Sequence, residues 1–193
     1  MLNATLIIIL LLTLSSSSSA IGQEQSRQSK VSVKMINEGK INHLLDQARK
    51  YRSVGENKKA EQCYLEAIQL NEPNFGPNLL SRNIISPLAS LYKRTNLQKA
   101  EQLYETYGRK VWDDRLVAEQ LAPILCRLQR YAEARTVLRK YADELRNVPE
   151  SRPLNLRRNE LAAIIKVSEQ RAPNLTEDDM NKIEKERAKK FGR

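Results

Sequence analysis

Lys59-Ala60-Glu61-Gln62-Cys63-Tyr64 and Lys99-Ala100-Glu101-Gln102-Leu103-Tyr104 are the same six residues but for one position, and they decide how the chain folds. A third, weaker copy reads Glu133-Ala134-Arg135-Thr136-Val137-Leu138, so the three alanines stand 40 and then 34 residues apart. A period of that size marks stacked supersecondary units, and self-similarity outranks any local reading. Downstream of each copy, Ala60, Tyr64 and Ala67, then Ala100, Tyr104 and Tyr107, then Ala134, Leu138 and Tyr141 repeat at spacings of four and three. Such spacings place each trio on one helical face.

Upstream of each copy lies a break: Val54-Gly55-Glu56-Asn57, Arg94-Thr95-Asn96, and Gln129-Arg130. Before each break runs another apolar-periodic segment, with Leu44, Ala48 and Tyr51, then Ile84, Leu88 and Leu91, then Ala118, Leu121, Ala122 and Leu125. Each copy therefore reads as two helices joined by a tight turn. The alanine lets the second helix come close to the first, and the bulky residue four places on fills the space it leaves. One hairpin cannot hide two apolar stripes, so the units must stack on their neighbours.

This pattern resembles the tetratricopeptide repeat family. The resemblance covers about 110 residues, with repeats at 41–74, about 81–114 and about 115–148. Only the first has the turn glycine, Gly55, and the second has Leu88 where the family has a small residue at the helix crossing. The run Pro87-Leu88-Ala89-Ser90-Leu91-Tyr92 looks like the longer-helix variety of kinesin-light-chain-like arrays. The implied architecture is all-α: helix-turn-helix units stacked as a short right-handed solenoid over 41–171, closed by a capping helix across Leu154–Arg171. Pro87 and Pro123 fall inside first helices and predict kinks, because proline deletes a hydrogen bond and presses on the carbonyl four residues back.

The family's ligands lie in the concave groove lined by first helices. On this chain the resemblance assigns that groove to Asn42, Leu45, Arg49 and Arg52; Arg82, Ile85, Ala89, Tyr92 and Lys93; and Leu116, Glu119, Cys126 and Arg127. Five of these are basic and one is acidic, a composition that suits an acidic protein or peptide through charge-assisted hydrogen bonds. The family's carboxylate-clamp residues are not reproduced.

Outside the repeats, Leu2–Leu14 is apolar apart from Asn3, Thr5 and Thr13 and is followed by Ser15–Ser19 and Ala20-Ile21-Gly22. Residues 1–22 thus read as a secretory signal, cleaved after Ala20 or Gly22, with an uncleaved membrane anchor as the alternative. The apolar run is shorter than the ~20 residues a membrane-spanning helix needs. Residues 23–40 read as a flexible polar arm, Pro149–Pro153 as a linker, and 172–193 as a basic C-terminal helix or tail. Thr176-Glu177-Asp178-Asp179 starts that last helix with a cap and acids where the dipole favours them. Its scarcity of apolar residues predicts mobility.

Against chemistry, the sequence offers one histidine, His43, and two cysteines, Cys63 and Cys126, with no nucleophile–base pair or metal set within reach. No phosphate loop, zinc-protease or serine-hydrolase motif occurs, so an enzyme and a cofactor are not expected. Cys63 and Cys126 fall on helices that are not neighbours in a stack, which predicts two reduced thiols, with a disulfide as the alternative. Asn174-Leu175-Thr176 fits the N-glycosylation pattern in a eukaryotic host. The net charge of +10 is spread along the chain. A diffuse excess suits weak attraction to acidic surfaces, whether polysaccharide, lipid or nucleic acid, and is not the dense stripe of a nucleic-acid binder.

Overall fold

The computed structural model describes residues 35–142 and 156–192, with the side chains of 156–158 left undescribed. The signal, most of the polar arm and the 149–153 linker lie outside the described residues. Within them every regular element is helical and no strand occurs. Residues 35–53 form α1, which therefore begins inside the segment expected to be a flexible arm. Then come α2 (Asn57–Asn71), α3 (Leu79–Thr95) and α4 (Leu97–Leu103), the last running through a π-helical turn (Tyr104–Gly108) into a closing turn (Arg109–Val111). The chain continues with α5 (Asp114–Arg127), α6 (Tyr131–Leu138), α7 (Leu156–Arg171) and α8 (Glu177–Lys190).

The helices start where short polar side chains satisfy orphan N–H groups. Asn78 accepts from Ser81 N, Asn96 from Lys99 N and Asp113 from Leu116 N, while Thr176 and Asp179 cap one another reciprocally. Each such cap stabilises by about 1 kcal/mol. Both prolines lie inside helices that run on through them, Pro87 in α3 and Pro123 in α5.

The three motif alanines are completely buried, and Tyr64, Tyr104 and Leu138 four places on are at most 4% exposed. The first helices contribute Ala48, Leu88, Leu91 and Leu125 to the main core, with Ala67 beside them from α2, and Ala122 is equally buried. Leu44 and Tyr51 are only partly buried against it, because Ile41 and Leu45 take the inward positions of α1. Helix packing runs α2 on α3, α3 on α4, α4 on α5, α5 on α6, and α7 on both α5 and α6. A smaller cluster of Ala118, Ala122, Leu138, Leu161 and Ile165 seats α7 at the far end.

The turns repeat in their backbone. Gly55 N donates to Arg52 O and Glu56 N to Tyr51 O (3.2 and 2.9 Å); 74 residues on, Gln129 N donates to Cys126 O and Arg130 N to Leu125 O (both 2.9 Å). Both are Schellman turns with the left-handed residue at the same place, Gly55 at φ 78° and Gln129 at φ 59°. In the second helix of each unit the fourth residue donates back to the residue preceding that helix: Ala60 to Glu56, Ala100 to Asn96, Ala134 to Arg130, at 3.0–3.1 Å. Met180 donates to Thr176 in the same way, at 3.1 Å, and Met180 is 9% exposed. Helix α8 packs on α6.

That packing corrects the expectation of a mobile tail. The helix is anchored by charge, through Arg187, which is 4% exposed among three carboxylates from α4 with its π-turn and from α6.

Candidate functional site

Four clefts run in series along the first helices, each sharing residues with the next. Between the last turns of α1 and α3 lies a cleft of about 370 Å³ lined by Arg49, Arg52, Ser53, Asn57, Leu91, Arg94 and Thr95. Arg94 also borders the next, about 500 Å³, with Ser86, Ser90, Lys93, Tyr104, Trp112, Leu116, Gln120 and Arg127. Lys93, Gln120 and Arg127 pass into a third of about 660 Å³, completed by Glu119, Pro123, Ile124, Glu160 and Leu161. Pro123, Arg127 and Glu160 lead to a fourth of about 420 Å³ with Cys126, Tyr131, Ala163, Ile164 and Val167. The shared walls make one trough from α1 to α7.

Local contacts fix its floor. Gln120 Oε1 accepts from Lys93 Nζ (2.5 Å) and from Tyr104 Oη (3.3 Å). Lys93 also lies over the Tyr104 ring, 5.1 Å from its centre, and Tyr104 packs against Trp112 at 5.8 Å. Arg127 Nη1 donates to the Lys93 carbonyl at 2.8 Å, satisfying one of the orphan acceptors at the end of α3 and joining α5 to it. At the α1 end, Arg49 pairs with Asp46 (2.6 Å), whereas the side chains of Arg52 and Arg94 form no hydrogen bond or ion pair among the described residues. The helix that begins beside them, α2, has no side-chain cap and no acid in its first turn.

Of the sequence-assigned groove, Arg49, Arg52, Lys93, Leu116, Glu119, Cys126 and Arg127 line the trough. Arg82 is exposed but lines none of the four clefts, and Asn42 is exposed on α1. Leu45, Ile85, Ala89 and Tyr92 belong to the core, at 2%, 0%, 0% and 5% exposure. The reason is that α3 is packed by neighbours on two sides, so its apolar arc is wider than a one-sided stripe. The open side of α3 is Ser86, Ser90, Lys93 and Arg94, one position along from the expected set. Sequence reasoning missed Arg94, Trp112 and Gln120, although the spacing of Ser86, Ser90, Lys93 and Arg94 carries the signal.

Tyr92 acts as a tie between units. Burial, then its hydrogen bond to Glu61 (2.9 Å), holds the phenol above its ordinary range. Glu61 also takes Lys99 Nζ at 2.6 Å. Burial pushes the Glu61 carboxyl up, but these two donors outweigh it and hold the group low.

A second convergence of charge lies between α4, α6 and α8. Arg187 reaches Glu101 (3.0 Å), Glu105 (2.5 Å) and Glu133 (2.5 Å), while Arg130 bridges Glu101 and Glu133 and Arg109 bridges Glu105 and Asp114. Burial raises the Glu105 and Glu133 carboxyls, yet the arginine hydrogen bonds win and keep both below the usual carboxylate range. Carboxylates held ionised in this way are poor proton carriers, so the cluster is a fastening and not an acid–base pair.

The remaining reactive groups stand apart. His43 is exposed and contacts Gln47 at 3.1 Å. Cys63 is buried and Cys126 half-buried, both as free thiols, and burial pushes both up from the ordinary thiol range. Among the described residues no group of three His, Cys, Asp or Glu side chains is arranged to hold a metal ion, and no helix is long and apolar enough to cross a membrane. Comparison with family models, with curated proteins and with solved structures gives no match.

Proposed function

We propose that the chain is a non-enzymatic binding module built from tetratricopeptide-like units, and that it holds an acidic segment of a protein or peptide partner in the trough. The observation that carries this reading is the sequence of linked clefts, whose walls include Arg49, Arg52, Lys93, Arg94 and Arg127 against Glu119 and Glu160 alone. Glu119 is engaged by Arg115 at 3.1 Å, which leaves the trough strongly basic. Guanidinium groups suit carboxylates because they offer paired N–H donors in a fixed fork. The apolar stretch within residues 1–22 supports a place of action outside the cytoplasm.

The rival reading, attraction to an anionic surface through the basic C-terminal half, has less to work with. Arg130 and Arg187 are spent on the buried carboxylates, Arg135 on the Ala172 carbonyl (2.8 Å), and Arg139 on Glu177, Asn181 and Glu184. Affinity capture with the purified chain and with the Arg49→Glu, Arg52→Glu, Arg94→Glu triple variant separates the two. Loss of the captured partner on charge reversal supports the trough, and undiminished capture by the variant overturns it. Partner retention that survives moderate salt further favours the trough, since purely surface attraction is screened over about 8–10 Å.

A further inference from the structure

The trough is not uniform along its length. Its α1–α3 end carries three arginines and no acid, whereas the α5–α7 end is walled chiefly by Pro123, Cys126, Ala163, Ile164 and Val167. Between them the charge evens out, with Lys93 and Arg127 facing Glu119 and Glu160. Val167 is 41% exposed and Ile164 partly so, an apolar surface left open on a helix that is otherwise packed on α5 and α6. Two neighbouring environments of opposite character demand two kinds of side chain from one occupant. The unpaired Arg52 and Arg94 reward carboxylates by charge-assisted hydrogen bonds. The Ile164–Val167 pocket rewards an aliphatic or aromatic side chain by removing it and itself from water.

From this gradient we propose that the occupant is an extended peptide segment of fixed polarity, with clustered acidic residues at one end and an apolar anchor at the other. The proposal rests on the reading of the trough as a peptide-binding surface and adds what the peptide is and which way it lies. Its acids sit between α1 and α3, its anchor between α5 and α7, and the Lys93–Gln120–Tyr104 floor lies under the stretch between. Placement along the trough follows, because turning the peptide end for end brings carboxylates to Glu160 and an apolar group to the arginines.

The test is selection of displayed random dodecapeptides on the purified chain, repeated on Arg52→Glu/Arg94→Glu and on Val167→Asp. These side chains are exposed or half-exposed, so the variants keep the core. The expected result is enrichment of acids at one end and of Leu, Ile, Val or Phe at the other, at a constant separation. The arginine variant then loses the acidic preference alone, and Val167→Asp loses the apolar preference alone. For a selected peptide measured by fluorescence anisotropy, each variant weakens binding at least tenfold, the arginine variant's loss shrinking as salt is raised and that of Val167→Asp holding. Acids enriched without an apolar anchor, or with acids and apolar residues intermixed at no fixed separation, overturn the polarity while leaving the acidic-peptide reading in place. No enrichment of acids overturns both.

Discussion

Arg187 and Glu105, 82 residues apart in the chain, meet at 2.5 Å with side chains 4% and 0% exposed. Burying two charges costs several kcal/mol for each ion, offset only where every remaining donor and acceptor is paired. Here Glu105 also receives Arg109, and Arg187 also reaches Glu101 and Glu133, while Arg187 Nε alone is left without a partner among the described residues. The helix α8, poor in apolar side chains, is held to the body mainly by charge: this buried plug and the more exposed contacts of Arg139 with Glu177, Asn181 and Glu184, with Met180 as its buried apolar residue.

Removing the plug therefore has a large effect. Arg187→Ala is expected to lower stability by about 3 kcal/mol, the low end for breaking a buried pair because Arg109 and Arg130 remain beside the carboxylates. Arg187→Lys recovers part of it, lacking the fork that spans three carboxylates. Urea unfolding midpoints measure both, and hydrogen exchange over 177–190 should speed up in the alanine variant. Unchanged exchange there would show that α8 is held by something else.

The same cluster sets an acid limit. Glu105 and Glu133 are held below their ordinary value of 4.5 in the folded chain, against the push of burial. The unfolded chain thus takes up protons first, and the stabilisation is complete above pH 4.5 and drains away as pH falls through the folded values. Thermal unfolding midpoints between pH 7 and pH 3 should stay level down to about 5 and then fall. In Glu105→Gln the neutral-pH midpoint is lower and the acid fall shallower.

Gln129 occupies the left-handed position that Gly55 holds in the first unit. A side chain there costs roughly 1–2 kcal/mol, while glycine returns roughly 0.5–1 kcal/mol to the unfolded state's entropy. Gln129→Gly should raise stability by about 0.5–1 kcal/mol, and Gly55→Ala should lower it by about 1 kcal/mol. Opposite signs in a pair of chemical denaturation curves check the equivalence of the two turns.

Tyr64 is 1% exposed, and its hydroxyl has no hydrogen-bond partner among the described residues. A buried orphan hydroxyl costs about 1–3 kcal/mol. Tyr64→Phe keeps the ring that fills the space beside Ala60 and should leave stability unchanged or raise it by about 1 kcal/mol. A loss beyond that in calorimetry would mean the hydroxyl is satisfied.

Much of this was readable from spacing. The motif alanines and the bulky residues four places on lie where the period put them, because a methyl at a close helix contact is a local requirement written into each unit. The groove was legible only in part. Arg49, Arg52, Lys93 and Arg127 line it, but Ile85 and Tyr92 do not, since a helix packed on two sides buries adjacent pairs such as Ile84 and Ile85. The role of Arg187 was hidden because its partners lie in other units, and hydrophobic periodicity is blind to a helix docked by charge. The π-helical turn at Tyr104–Gly108 carries no signature short of the geometry itself. There, a methyl group on Gly108 would come within 3.1 Å of the Tyr104 ring.

The distance along the chain between Glu105 and Arg187 also has a meaning in time. A ribosome emits α4 long before it has made α8, so for 82 codons the growing polypeptide carries carboxylates prepared for an arginine that does not yet exist. Those carboxylates stay solvated during synthesis, and their burial is a late event that follows the emergence of α8.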